Sequence, residues 1–145
     1  MKVIYFVGMS AVGKKFVIRR ILAGDTKLQE QFGVSGRVYA TGYAFQPLIR
    51  EACNQADTIL VQWQLAEHWK IRRLRDWYPE AEHRIVFLRR DWQAHLRSHH
   101  ERYARIWKPT LEELKSHSDG VLSYFTEPVE FVTMPEYDVT TQSAA

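Results

Sequence analysis

The chain alternates between short unbroken apolar runs and longer segments whose apolar residues recur at helical spacing. Residues 3–7 (Val-Ile-Tyr-Phe-Val) form the first run. After Gly8 and Gly13, apolar residues at 16, 17, 18, 21 and 22 mark one face of a helix over 14–23, and Gly24 is placed to stop it. Residues 24–36 are polar, hold three glycines and read as a loop. Residues 36–42 predict a second strand. Pro47 suits the first position of a helix, along which Leu48, Ile49, Ala52, Cys53 and Ala56 share a face. Residues 58–63 read as a third strand. A helix over 65–78 presents Trp69, Ile71, Leu74 and Trp77 and is ended by Pro79. Residues 84–89 predict a fourth strand. Asp91 is positioned to cap a helix running to about Trp107. Thr110-x-x-Glu113 is a capping box that opens another helix, which Gly120 is expected to break. Residues 129–134 read as a fifth strand and 139–145 as a frayed tail.

Alternating strands and helices predict an α/β fold, a three-layer, doubly wound parallel sheet of about five strands. The apolar runs lack strict alternation, as strands covered on both faces do. No repeat or linker divides the chain, so residues 1–138 are expected to form a single domain.

Composition narrows the picture without changing it. At 145 residues, 46% hydrophobic and 26% charged, the chain has the balance of a soluble globular protein with a core of its own. No apolar run approaches the ~18–20 residues of a membrane span. Met1 and Lys2 lead straight into the first strand, which leaves no room for a signal peptide, so a cytoplasmic location is expected. The single cysteine, Cys53, excludes an internal disulfide and reads as a small core residue.

The net charge of +3 is unevenly spread. Residues 70–108 carry eleven Lys/Arg against five Asp/Glu, whereas residues 109–145 carry one against seven. A basic middle beside an acidic end fits either a polyanionic ligand or the two segments packing against each other.

The densest chemistry lies at residues 8–15, Gly-Met-Ser-Ala-Val-Gly-Lys-Lys, between the first strand and its helix. Gly8 and Gly13 permit positive φ and close approach of a ligand to the backbone. Successive N–H groups and the positive end of the helix then favour an anion, with Lys14 as a mobile full charge. The pattern resembles the Walker A loop G-x-x-x-x-G-K-[ST] of P-loop NTPases, and the strand before and helix after supply the required context. The short chain and a later arginine-rich helix make the small nucleoside and nucleotide kinases the nearest likeness. Among these, compact phage-type kinases of hydroxymethylated pyrimidines in DNA are similar. The resemblance implies the strand order 2-3-1-4-5. It also implies ATP as phosphoryl donor, held by Gly8, Met9, Ser10, Ala11, Val12, Gly13, Lys14 and Lys15, and Mg²⁺ as its companion.

One position departs from the family. Lys15 stands where a Ser or Thr hydroxyl would ligate magnesium, and an ammonium has no lone pair to offer. The third strand ends in Gln62, Trp63 and Gln64 where such proteins often place a metal-holding acid. Three readings stay open. Magnesium is held by phosphates and water with Ser10, Thr41 or Asp91 assisting; Lys15 supplies the charge itself; or the chain binds nucleotide without transferring phosphate.

Parallel sheets gather ligands at the carboxyl ends of their strands. Those ends deliver the 8–15 loop; Thr41, Gly42 and Tyr43; Gln62, Trp63 and Gln64; Arg89, Arg90 and Asp91; and Pro135, Glu136 and Tyr137. Thr41, Tyr43, Gln62, Trp63 and Gln64 are expected to line the acceptor side, the acceptor being a nucleoside, a nucleotide or a DNA base. The resemblance assigns Arg97, Arg102 and Arg105 to a lid that neutralises phosphoryl oxygens. The alternative is a solvated basic face, with Trp92, His95, Leu96, His99 and Ile106 packed inward. Asp91 is a candidate base as well as a cap, with Glu67 and Glu136 as rivals. His95, His99 and His100 lack a convincing third metal ligand. The oligomeric state is left open.

Overall fold

The computed structural model describes residues 1–41 and 48–134. The expectations for Gly42, Tyr43, Pro47, Pro135, Glu136, Tyr137 and the tail lie outside them. In chain order the elements are β1 (Lys2–Val7), α1 (Lys14–Leu22), α2 (Thr26–Phe32), β2 (Val38–Ala40), α3 (Arg50–Asn54) and β3 (Thr58–Gln62). A 3₁₀ turn (Leu65–Glu67) then leads to α4 (Trp69–Trp77), β4 (Glu82–Arg89), α5 (Trp92–Tyr103), α6 (Leu111–Leu122) and β5 (Glu130–Thr133). The five strands form one all-parallel sheet in the order β2-β3-β1-β4-β5. This is the expected α/β architecture, in the strand order that the resemblance implies.

Burial explains why the strands are apolar runs. Val3, Ile4, Tyr5, Phe6 and Val7 are all 0% exposed, because β1 is flanked by β3 and β4 and covered on both faces. Ile4 and Phe6 face Val17, Ile18 and Ile21 of α1 and Leu28 and Phe32 of α2. Val3, Tyr5 and Val7 face the opposite layer, with Cys53 of α3, Ile71 and Leu74 of α4, and Leu114 and Val121 of α6. Burial pushes the Cys53 thiol up to about 11, which keeps it protonated and unreactive.

The handedness of crossovers dictates these layers. The chain moves from β1 out to the edge strand β2 and then returns through β3, across β1, to β4 and β5. Right-handed connections put α1 and α2 on one face and the later helices on the other. The direction reverses at β1, so the crevice beyond its carboxyl end is where an open α/β sheet takes a ligand. The 8–13 segment occupies that place. No helix among the described residues is long and apolar enough to cross a membrane.

Three expectations are corrected. Residues 24–36 contain helix α2, capped by Asp25, whose side chain accepts from the Leu28 N–H at 3.1 Å, and closed by Gly33 at φ 66°. Only Leu28 and Phe32 are buried along it, too thin a stripe to stand out in the sequence. The α5 helix ends at Tyr103, so Arg105 and Ile106 lie in the turn beyond it, and Ile106 is 85% exposed instead of packed inward. Gly120 does not break α6, which continues to Leu122.

A Cβ built on Gly120 meets nothing within 4 Å. Gly120→Ala is therefore expected to stabilise the fold by about 0.5–1 kcal/mol through helix propensity alone. A chemical denaturation midpoint that moves down instead would contradict this account of α6.

Candidate phosphate-binding site

Residues 8–13 connect β1 to α1 through three residues in positive-φ conformations: Gly8 at 135°, Ala11 at 62° and Gly13 at 111°. Gly8 is required on two counts. A Cβ there would lie 3.0 Å from the Leu88 carbonyl oxygen, and its φ is one that side chains rarely adopt. Ala11 holds a left-handed conformation without being glycine, a strained backbone of the kind that surrounding contacts must enforce. Gly13 is the N-cap of α1 and brings no side chain to the cap, so no side-chain group competes there for the first N–H groups of the helix. Met9 and Val12 are 3% exposed and anchor the segment in the core, while Ser10 is exposed.

Residues beyond the loop clamp it. His95 donates through Nε2 to the Ser10 carbonyl at 2.9 Å. Burial, the largest influence, lowers the His95 pKa and so favours the neutral ring that this bond uses. Arg90 at the end of β4 donates through Nη1 to the Ala11 carbonyl at 3.2 Å and to Ser98 Oγ at 3.0 Å. Together they tie two loop carbonyls to α5 and the end of β4.

Lys14 is the charged centre. It is only 8% exposed, and its Nζ donates to the Gly8 carbonyl at 2.7 Å and sits 5.9 Å from the centroid of the Trp63 ring. Burial pushes its pKa down from 10.5 to about 8, partly opposed by the carboxylate of Glu67. Glu67 in turn holds Lys70, which is wholly buried, at 2.9 Å from its Oε2. Lys70 also donates to the Gln62 carbonyl at 3.3 Å. The second carboxylate oxygen, Oε1, is buried without a hydrogen-bond partner. Two lysines and one glutamate thus leave a net positive charge behind the loop.

The other expected site residues divide. Lys15 is exposed on the first turn of α1. Thr41 is 2% exposed, and its Oγ1 accepts from the Gln62 N–H at 3.2 Å, which ties β2 to β3. Gln62 is 8% exposed, and Gln64 stands at the N-cap position of the 3₁₀ turn with no side-chain cap bond. Trp63 is a core residue at 1% exposure, packed on Phe125 and donating to His68 Nδ1 at 3.3 Å, so it supports Lys14 from below and offers no open face to a base. Asp91 acts as the N-cap of α5, accepting from the Ala94 N–H at 3.0 Å. Arg97 and Arg102 are exposed on α5 and Arg105 in the turn after it. Helical geometry puts Arg102 two turns along the stripe of His95 and Arg97 on nearly the opposite side, so the three do not form one face.

The histidines are engaged otherwise. His100 donates through Nε2 to the Pro109 carbonyl at 2.7 Å, and His99 packs on Tyr103 and Trp107. Among the described residues, no three His, Cys, Asp or Glu side chains are grouped to hold a metal ion. Sequence reasoning missed the clamping role of His95 and Arg90 and the burial of Lys70. The Glu-x-x-Lys spacing of 67 and 70 was the available signal, but it is ordinary on solvated helices. Comparison with models of known protein families and with curated proteins gives no match.

Glu67→Gln removes the carboxylate paired with the fully buried Lys70 ammonium. It is expected to destabilise the fold by about 3–5 kcal/mol, while Glu67→Leu combined with Lys70→Met recovers most of the loss. Urea denaturation of the two variants checks this, and equal stability of E67Q and the wild type would remove the pair's structural role.

Proposed function

We propose that the chain binds a nucleoside triphosphate on the 8–15 loop and moves its γ-phosphoryl group to an acceptor of the nucleoside or nucleotide kind, the hydroxyl of a modified base in DNA included. The carrying observation is the conformation of the loop. Three positive-φ residues lie in the segment leading to an uncapped helix start, beside a buried lysine ammonium. Backbone N–H groups, helix dipole and ammonium all favour the same partner, a multiply charged anion. Placement at the reversal of the sheet supports the same reading.

In this scheme Lys14 exchanges its bond to the Gly8 carbonyl for one to the terminal phosphates. Lys15 and Arg90 add positive charge at the rim, and preorganised cations stabilise the charge that develops on the transferring group. Arg102 is the lid candidate best aligned with the loop, on the stripe of His95.

A second reading, triphosphate binding without transfer, is favoured by one observation. Two described carboxylates that follow the carboxyl ends of β3 and β4 are already engaged, Glu67 with Lys70 and Asp91 with the cap of α5. Transfer of labelled γ-phosphate to hydroxylated acceptors distinguishes the two.

Calorimetric titration with ATP tests the shared premise. Heat is expected for the wild type and its loss, at least tenfold in affinity, for Lys14→Ala; a folded wild type that gives no heat with ATP or GTP overturns the proposal. The pH dependence follows from the depressed lysine. Below about pH 8 the Lys14 ammonium is charged and affinity is full. Above it the free protein has lost that proton, and affinity falls by up to about tenfold per pH unit. Lys14→Arg, charged throughout, is expected to flatten the profile wherever it still binds. A flat wild-type profile from pH 7 to 9.5 would show that Lys14 does not meet the phosphates.

A further inference from the structure

Magnesium is the ordinary companion of a triphosphate in such a loop, and the donors among the described residues do not suit it. Mg²⁺ demands hard oxygen ligands in near-octahedral array. The residue following Lys14 is Lys15, an ammonium with no lone pair, exposed on the first helical turn. Thr41 Oγ1 is buried and accepts from the Gln62 N–H. The Gln62 carbonyl accepts from Lys70. Glu67, whose carboxylate acts on Lys14, has the Lys70 ammonium 2.9 Å from one oxygen, so a dication bound there would face a like charge at close range. Asp91 spends one oxygen on the cap of α5. Ser10 is the one hydroxyl within the loop, and it precedes Lys14 by four residues instead of following it onto the first helical turn.

The same places are rich in cations. Lys14 lies in the loop, Lys15 follows it, Lys70 lies behind it and Arg90 reaches the Ala11 carbonyl. We infer that the site takes its polyphosphate as the metal-free anion, with side-chain cations, Lys14 and the exposed Lys15 among them, doing the neutralisation that a magnesium ion does elsewhere. This rests on the triphosphate reading above and specifies the ionic form of the ligand. Its physical content is a competition. Magnesium complexation removes charge from the phosphates, and that weakens their attraction to the lysines. The unpartnered Oε1 of Glu67 belongs to a carboxylate already paired with Lys70, so among the described residues it does not repay the loss, and the complexed form binds no better than the free one.

Calorimetry with ATP in EDTA and in excess Mg²⁺ tests this on the wild type and on two variants at an exposed position, Lys15→Ser and Lys15→Ala. The wild type is expected to bind as tightly in EDTA as in magnesium, or several-fold more tightly. Lys15→Ser restores a hydroxyl and removes a cation, so its affinity in EDTA falls about tenfold and magnesium recovers it. Lys15→Ala loses the same affinity in EDTA without that recovery, which separates ligation from general loss of charge. A wild-type affinity that rises tenfold on adding magnesium overturns the inference alone. Absence of heat in both buffers removes the triphosphate reading and this inference with it.

Discussion

A buried ammonium at the carboxyl end of the central strand constrains the rest of the molecule. Lys14 is drawn out of water into contact with the Gly8 carbonyl, and burial alone disfavours its charged form. Such a group is stable only where the backbone offers oxygens and neighbours offer countercharge. The positive φ of Gly8 turns the chain at the end of β1, next to that carbonyl. Glu67 supplies the countercharge from the turn after β3, but Glu67 must also serve Lys70. The balance behind the loop stays positive, which favours the arrival of an anion.

The apparatus that holds this charge comes from both sides of β1. Arg90 and His95, from the end of β4 and the first turns of α5, fasten the Ala11 and Ser10 carbonyls. Glu67, Lys70 and Trp63 come from the end of β3 and the segment after it. Only a strand order with β1 between β3 and β4 brings these groups together, so topology and chemistry are one constraint here. The order also explains why residues 3–7 of β1 are all apolar: its two faces belong to two different helical layers.

How much of this was legible depended on whether the signal was local. Residues 3–7, 58–63 and 84–89 stood out because strands buried on both faces carry unbroken apolar runs at their centres. The loop stood out because turn glycines, a lysine and a following helical face lie within eight residues of one another. Helix α2 did not, because only Leu28 and Phe32 bury on it and the glycines flanking it suggested a loop. Gly120 suggested a break, yet one glycine costs a helix only about 1 kcal/mol. The Thr110 capping box and the burial of Leu114 and Val121 outweigh that. The clamps on the loop were illegible for another reason. Ser10 and His95 are far apart in sequence, and their contact exists only once the sheet is assembled. Likewise no periodicity distinguishes a solvated Glu-x-x-Lys pair from the buried one at 67 and 70.

The charge gradient along the chain finds its account in the same assembly. Part of the basic middle segment pairs with the acidic end: Arg84 makes two hydrogen bonds to Glu130, at 2.9 and 3.0 Å, and Arg75 meets Glu127 at 3.4 Å. These contacts join β4 to β5 and α4 to the approach to β5, so segment packing consumes part of the imbalance. Arg90, at the end of β4, is directed to the loop instead. Arg89, its neighbour, lies over the Phe131 ring at 4.2 Å with its Nε buried and unpartnered. Among the described residues, the ion pairs that fix β5 therefore draw on Arg75 and Arg84 and not on Arg89 or Arg90, so the cations at the carboxyl end of β4 stay there. Positive charge over a buried core strengthens the attraction of a polyanion, because the low dielectric beneath it screens little.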